Sequence, residues 1–130
     1  MKAIHTIYTL SMILFATVSG CAQKSGGVTN INKAEFDRLV KEEKAVVMDV
    51  RTPAEVSEGI IKGATEFIDF NGSDFEKKVM ALDKSKTYIV YCRSGKRSAS
   101  ASSLMHDKGF AKVYNLDGGI MGWQGETTKR

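Results

Sequence analysis

This sequence has few cysteines, no long apolar run and little excess charge, and each shortage excludes a class of protein. Its net charge of +4 is too mild to indicate a nucleic-acid partner. Its most apolar stretch, residues 4–18, is interrupted by polar side chains and falls short of the about 20 mostly apolar residues that a membrane-spanning helix needs. No internal repeat is present, so 130 residues indicate one domain with at most a short tail.

Residues 1–20 have the pattern of an export signal. A single lysine precedes an apolar centre, and Val18-Ser19-Gly20-Cys21 resembles the lipobox of bacterial lipoproteins. The resemblance implies cleavage before Cys21 and lipid on its thiol, with the domain anchored at the cell envelope, facing the periplasm or the surface, on an inner or outer membrane. An ordinary secretory signal and an uncleaved anchor are the alternatives. Residues 21–27 are then the lipidated cysteine and a flexible tether.

The two cysteines would normally suggest a disulfide in an exported protein. If Cys21 carries lipid, however, Cys92 has no partner and stays a free thiol in an oxidising compartment. Because a free thiol there is a liability unless it has a function, we predict that Cys92 is functional rather than a structural cysteine of the core.

The stretch around Cys92 organises the chain. A β-branched and aromatic run over residues 87–91 ends at Cys92, and small residues with helical spacing begin at Ser98. This pattern predicts a strand, a tight loop and a helix capped by Ser98, with the thiol at the carboxyl end of the strand, where open α/β sheets place their sites. The residues between are Arg93, Ser94, Gly95, Lys96 and Arg97. Because three cations and inward N–H groups stabilise an anion, we predict that Cys92 is an activated nucleophile.

Strand and helix patterns alternate through residues 28–125, the predicted domain. Helix starts are expected at Asn32 and at Thr52, which is followed by Pro53 and Glu55 in the arrangement of a helix N-terminus. The alternation predicts an α/β fold, a small, mostly parallel central sheet of about five strands with helices on both faces. Residues 126–130 are expected to be frayed.

Four motifs in this order resemble those of single-domain rhodaneses, which are thiosulfate-type sulfurtransferases. They are Asp49-Val50-Arg51, residues 58–64, residues 92–98 and residues 116–123. Together they cover nearly the whole predicted domain. One departure is Ile60, which stands where the family usually has histidine, and we expect it to affect structure more than chemistry. Asp49 and Arg51 are expected to lie behind the residues that contact the substrate and to hold them in position. Arg51 is expected to pair with an acid such as Glu55 or Glu58.

The resemblance implies a reaction at Cys92. Its thiolate would attack the outer sulfur of thiosulfate or another sulfane-sulfur donor, and the resulting persulfide would pass its sulfur to a thiophilic acceptor. The acceptor would be cyanide in an assay, or a thiol or protein in the cell. The loop of residues 93–98 would hold the persulfide, and its cations would lower the pKa of Cys92. No metal or organic cofactor is implied, and the only membrane contact is through lipid on Cys21.

Three other functions share parts of this pattern. A persulfide carrier or interaction module with little thiosulfate turnover needs the same loop, so the sequence does not separate it from the enzyme. A cysteine-dependent phosphatase needs Cys-x5-Arg, but Arg97 follows Cys92 after four residues, and the shorter loop suits a single sulfur atom. A non-catalytic domain of the same fold is disfavoured by the intact cysteine.

Overall fold

The computed structural model describes residues 24, 25 and 27–130. The predicted export signal and Cys21 lie outside the described residues, as does most of the predicted tether. The elements in chain order are β1 (Lys24–Ser25), β2 (Val28–Ile31), α1 (Lys33–Glu43), β3 (Val46–Asp49), α2 (Pro53–Glu58), β4 (Ile60–Ile61), β5 (Ala64–Phe67), α3 (Phe75–Met80), β6 (Thr87–Tyr91), α4 (Lys96–Asp107), β7 (Lys112–Leu116), a 3₁₀ turn (Ile120–Gly122) and β8 (Thr127–Thr128). Within this described part, no helix is long and apolar enough to cross a bilayer.

The main sheet has the strand order β1-β2-β7-β6-β3-β5. The strands from β2 to β5 in this order are parallel to their neighbours, and only β1 runs antiparallel, at the edge beside β2. The predicted α/β fold with a five-stranded, mostly parallel sheet is therefore confirmed. Strand β6, which leads to Cys92, lies in the middle of this sheet between β7 and β3.

Side chains of alternate residues of β6 pack into two separate hydrophobic cores, one on each face of the sheet. Tyr88 and Val90 pack on one face of the sheet with side chains from α3 and α4, such as Val79 and Met105. Ile89 and Tyr91 pack on the opposite face with side chains from α1. Because both faces are covered, every residue of β6 is buried. The thiol that follows β6 is thus attached to a fully buried strand in the middle of the sheet.

The caps of α1 and α2 follow from local sequence. The Asn32 side chain accepts a hydrogen bond from the Glu35 backbone at 3.0 Å, as a helix N-cap does. At α2 the cap is reciprocal, because Thr52 Oγ1 accepts from the Glu55 backbone and the Glu55 carboxylate accepts from the Thr52 backbone. The second cap fixes the Glu55 side chain as well as the helix.

Two local predictions were wrong. Helix α4 begins at Lys96 with Gly95 as its N-cap, so Ser98 lies inside the first turn rather than before it. The tail expected to be frayed instead forms β8, which pairs antiparallel with β4. Lys62 holds this tail twice, because its backbone N–H donates to the Glu126 carbonyl and its ammonium binds the Glu126 carboxylate. Ile60 is a buried residue of this small second sheet.

Candidate active site

Cys92 follows β6 directly and is completely buried, with none of its surface exposed. Three donors converge on its Sγ atom. The Gly95 N–H lies at 3.1 Å, the Ser98 N–H at 3.4 Å and the Ser98 hydroxyl at 3.3 Å. This arrangement is a small anion-binding cradle, built from the loop and the first turn of α4.

The cradle changes the acidity of the thiol. Burial disfavours the charged form and raises the pKa of Cys92, but hydrogen bonds from the Ser98 hydroxyl and from the N–H groups of Ser98, Gly95 and Ser94 outweigh it. The pKa is therefore lowered from its ordinary value. We predicted that loop cations and inward N–H groups together stabilise the thiolate, and the groups that chiefly lower its pKa are the N–H groups and the Ser98 hydroxyl.

Ser98 is predicted both as part of the persulfide-binding loop and as the N-cap of the next helix, and only its role as N-cap is wrong. Because α4 begins two residues earlier than predicted, at Lys96, Ser98 lies in its first turn and its hydroxyl contacts Cys92 Sγ. The sequence feature that could have identified this site group is a hydroxyl side chain in the first helical turn after the loop.

Hydrogen bonds from the segment that follows β7 hold the loop after Cys92 in shape. The Ile120 N–H donates to the Cys92 carbonyl at 2.9 Å, and the Met121 N–H donates to the Arg93 carbonyl at 3.0 Å. A Cβ added at Gly119 would lie 2.5 Å from both of those carbonyl oxygens, so only glycine permits this approach. The 92–98 and 116–123 motifs, which are distant in sequence, therefore form one unit.

Gly95 and Asn115 complete that unit. Gly95 has a φ of 100°, a left-handed conformation that glycine adopts readily, and its N–H points at Sγ as a result. The buried Asn115 amide nitrogen in β7 donates to the Gly95 carbonyl at 3.3 Å. Gly95, whose N–H is the donor nearest to the thiol, is thus held at both its N–H and its carbonyl.

Asp49 and Arg51 form a buried ion pair behind the site. The Asp49 carboxylate accepts from the Arg51 guanidinium at 2.7 to 3.0 Å and from its backbone N–H at 2.9 Å. The guanidinium also donates to the carbonyls of Gly59 and Glu55, at 2.7 and 3.3 Å. Our prediction that Arg51 pairs with the carboxylate of Glu55 or Glu58 was wrong, because the Arg51 guanidinium pairs with the Asp49 carboxylate instead. The pair fastens the end of β3 to α2.

The three loop cations have different surroundings. Arg97 binds the Glu55 carboxylate through two parallel hydrogen bonds of 2.8 and 2.9 Å. Arg93 is exposed and donates to the thioether of Met121 at 3.3 Å, whereas Lys96 is exposed on the surface of the loop. Glu55 is a site residue that the sequence does not predict as one, because its role in the cap of α2 is already enough to account for a glutamate at this position.

A cavity of about 450 Å³ opens at the carboxyl ends of β3 and β5. Pro53, Val56 and Phe67 form its apolar wall, and the Arg130 guanidinium stacks over the Phe67 ring at 4.1 Å. Cys92 does not line this cavity, so the chemistry of the thiol is set by the loop itself. Among the described residues, no group of three or more His, Cys, Asp or Glu side chains is arranged to hold a metal ion.

Comparison with known proteins identifies the family of this chain. The family model for the rhodanese-like domain matches residues 32–126. The chain is 37% identical over 91 residues to the putative sulfurtransferase YtwF of Bacillus subtilis, which covers 70% of this chain and 84% of that protein. It is 36% identical to the thiosulfate sulfurtransferase GlpE of Pseudomonas fluorescens, over 69% of this chain and 80% of that one.

Solved structures agree with this family. The crystal structure of a rhodanese-related protein from Thermoplasma volcanium superposes with a TM-score of 0.66 at 29% identity, over 76% of this chain and 96% of that one. Some longer proteins also match, such as the tRNA uridine(34) hydroxylase of Cytophaga hutchinsonii, at 35% identity over 71% of this chain. This chain spans only 30% of that hydroxylase.

Proposed function

This chain belongs to the family of rhodanese-like domains and has sulfurtransferase relatives, and from that premise we propose that it transfers sulfane sulfur through a persulfide on Cys92. The donor is thiosulfate or a related compound, and the acceptor is a thiophile, cyanide in an assay and a thiol or protein in the cell. The single observation that carries the proposal is the convergence of three hydrogen-bond donors on the Cys92 Sγ atom.

The first step uses the lowered pKa of Cys92. The thiolate attacks the outer sulfur of thiosulfate, a new S–S bond forms, and the bond between the two sulfur atoms of thiosulfate breaks. Sulfite leaves with the bonding electron pair, so one thiolate and one thiosulfate dianion become one persulfide anion and one sulfite dianion. No electrons are supplied from outside, and no proton has to move.

The second step returns the enzyme to its starting state. The acceptor attacks the terminal sulfur of the persulfide, and the Cys92 thiolate leaves with the electron pair. With cyanide the product is thiocyanate. The donors that stabilise the thiolate are small, closely spaced and fixed by the backbone, so they favour a single-atom anion in both steps.

Steady-state turnover tests this proposal. Thiocyanate formation from thiosulfate and cyanide is measured for the parent chain and for Cys92→Ser, in a Cys21→Ser background that leaves Cys92 as the sole thiol of the chain. We expect turnover in the parent and none above background in Cys92→Ser. Equal rates in the two proteins would contradict the proposal.

A persulfide carrier with little thiosulfate turnover is the second candidate, and one observation favours it. The positive charge of Arg97 is already matched by Glu55, so this arginine adds little attraction for a dianionic donor. A protein or low-molecular-weight persulfide donor that loads Cys92 at least about tenfold faster than thiosulfate, a difference of about 1.4 kcal/mol in the barrier, would support the carrier.

The chain is also proposed to be lipid-anchored at the cell envelope through Cys21. Support comes from the sequence alone, in the apolar centre and the small pair before Cys21. Expressed in a bacterium with labelled fatty acid, the parent should carry label and sediment with membranes, and Cys21→Ser should do neither. An unlabelled parent found in the cytoplasm would contradict this proposal.

A further inference from the structure

We propose that Glu55 is a specificity-determining residue, which cancels the positive charge of Arg97 and so favours sulfur donors of low charge over dianionic thiosulfate. The inference rests on the proposed function, because it concerns which donor the Cys92 loop accepts. The substrate class that it names is an organic persulfide or polysulfide carrying one negative charge or none.

The geometry of the Glu55–Arg97 pair supports strong charge compensation. The two residues meet through two parallel hydrogen bonds, and both side chains are only about a quarter exposed, 26% for Glu55 and 24% for Arg97. A bidentate pair that is mostly removed from water interacts more strongly than a typical surface pair. Arg97, the arginine that could attract an incoming anion, is therefore already paired with Glu55.

The Glu55 carboxylate is also fixed independently of Arg97. The Thr52 hydroxyl and the Thr52 backbone N–H both donate to Glu55 Oε1, at 3.1 and 3.4 Å. Since these bonds belong to the cap of α2, the carboxylate is in place before a donor arrives. This fixed position distinguishes the pair from one that would open easily when an anionic substrate approaches.

Arg97 lies in the first turn of α4, between Gly95 and Ser98, whose N–H groups both donate to Cys92 Sγ. Its pKa is raised first by the hydrogen bond to Glu55, against the opposing effect of burial, and then by the negative charges of Glu55, Cys92 and Asp69. The other charged groups around the loop are the exposed Arg93 and Lys96 and the closed pair of Asp49 and Arg51 on β3. Glu55 is thus the only direct ion-pair partner of Arg97 among the described residues.

The consequence is a loop that stabilises anions mainly with neutral donors. Such donors bind the single negative charge of a thiolate or persulfide well, and they add no long-range attraction for a second charge. Removing the negative charge of Glu55 while keeping its shape should convert Arg97 into an attractive site for dianions. A gain of this kind is not what damage to the fold would produce.

The test compares Glu55→Gln with a matched control, Glu58→Gln, in the full chain with Cys21→Ser. Glu58 lies on the same helix, is exposed, and its carboxylate has no ion pair among the described residues, so its change removes the same charge without freeing Arg97. The probes are iodoacetate and iodoacetamide, which have nearly the same shape but differ by one negative charge. The ratio of their alkylation rates at Cys92 reports the local charge without requiring sulfurtransferase activity.

We expect Glu55→Gln to raise the iodoacetate-to-iodoacetamide rate ratio by about three- to tenfold, the effect of one unscreened charge near the thiol. The KM for thiosulfate should fall by a similar factor, while Glu58→Gln leaves the ratio and the KM unchanged. Glu55→Asp, which keeps the charge but alters the geometry, should keep the parent's ratio. In the double variant Glu55→Gln/Arg97→Gln the gain should disappear, because the effect acts through Arg97.

An unchanged or lowered ratio in Glu55→Gln would overturn the proposal, and so would an equal rise in Glu58→Gln. A raised ratio in a chain that turns over neither thiosulfate nor persulfide would uphold the charge effect of Glu55 and contradict the proposed function instead. The two failures are therefore separate observations.

Discussion

At the scale of single residues, the decisive group is the Ser98 hydroxyl. It and two backbone N–H groups contact the Cys92 Sγ atom, and the net lowering of the Cys92 pKa depends on these hydrogen bonds. The thiol is buried, so without them it would be harder to ionise than a free cysteine. The reactivity of the site is thus a balance between burial and hydrogen bonding at one atom.

Ser98→Ala removes one of the three donors. Losing a hydrogen bond to a charged group raises the free energy of the thiolate, and we therefore expect the pKa of Cys92 to rise. Thiolate absorbance followed against pH measures this. The same change at Ser100, an exposed residue of α4, serves as the control and should leave the pKa in place. A Ser98→Ala chain that titrates like the parent would contradict a role for this hydroxyl.

At the scale of elements, the 3₁₀ turn and the glycines before it set the shape of the loop. Gly119 lies where a Cβ would meet the backbone oxygens of Cys92 and Arg93 at 2.5 Å. Because backbone cannot move aside as a flexible side chain can, any larger residue must displace the loop itself.

Gly119→Ala is therefore expected to lower thiosulfate turnover by about tenfold or more, since small displacements of reacting groups are costly. Gly122→Ala is the matched control, because a Cβ there meets nothing within 4 Å. Turnover and circular dichroism measured together separate a displaced loop from an unfolded chain. Equal turnover in the two variants would show that the close approach at Gly119 is not needed.

The Glu55–Arg97 pair joins α2 to α4, and its contribution to stability depends on pH. The hydrogen bond from Arg97 chiefly lowers the pKa of Glu55 from 4.5 to about 2. A carboxylate whose pKa is lower in the folded than in the unfolded chain stabilises the fold at pH values above the unfolded pKa. This stabilisation is lost as the pH falls from 4.5 towards 2. Thermal melts of the parent should lose more stability over this window than those of Glu55→Gln, and parallel losses would contradict the pair's role.

The sequence predicted the strands, the helices and the loop because each rests on local chemistry. Continuous apolar runs predicted buried parallel strands, and the Thr52 cap predicted the start of α2. It did not predict β4 and β8, since two-residue strands carry no periodicity. Nor did it predict the Glu55–Arg97 contact, which joins residues 42 positions apart. The partner of Arg51 was also not predicted, because Asp49, Glu55 and Glu58 are all close to it in sequence and only the fold selects Asp49.

At the scale of the whole molecule, the chain's last residues are part of the fold. Strand β8 pairs with β4, and the Lys129 ammonium donates to the Glu58 carbonyl at the end of α2. This small sheet closes the side of the domain next to the cavity that Arg130 lines. The tail therefore supports the helix that carries Glu55.

A chain ending at Gly125 removes β8, which pairs with β4, and the Glu126 carbonyl, which accepts from the Lys62 N–H. We expect a loss of about 1 to 2 kcal/mol in the free energy of unfolding, comparable to other losses of backbone hydrogen bonds. Urea denaturation measures it, and Glu126→Gln, which removes only an exposed ion pair, should change little by comparison. A truncated chain as stable as the parent would show that the tail is dispensable.

The most direct test of persulfide transfer through Cys92 is the intact mass of the protein before and after thiosulfate, in the Cys21→Ser background. We expect a gain of one sulfur atom with release of one sulfite, and loss of that sulfur as thiocyanate on adding cyanide. Cys92→Ser should gain nothing. No gain in the parent would exclude thiosulfate as the donor, and if an organic persulfide also failed to load the parent, or if Cys92→Ser gained the same mass, persulfide chemistry at Cys92 would be contradicted.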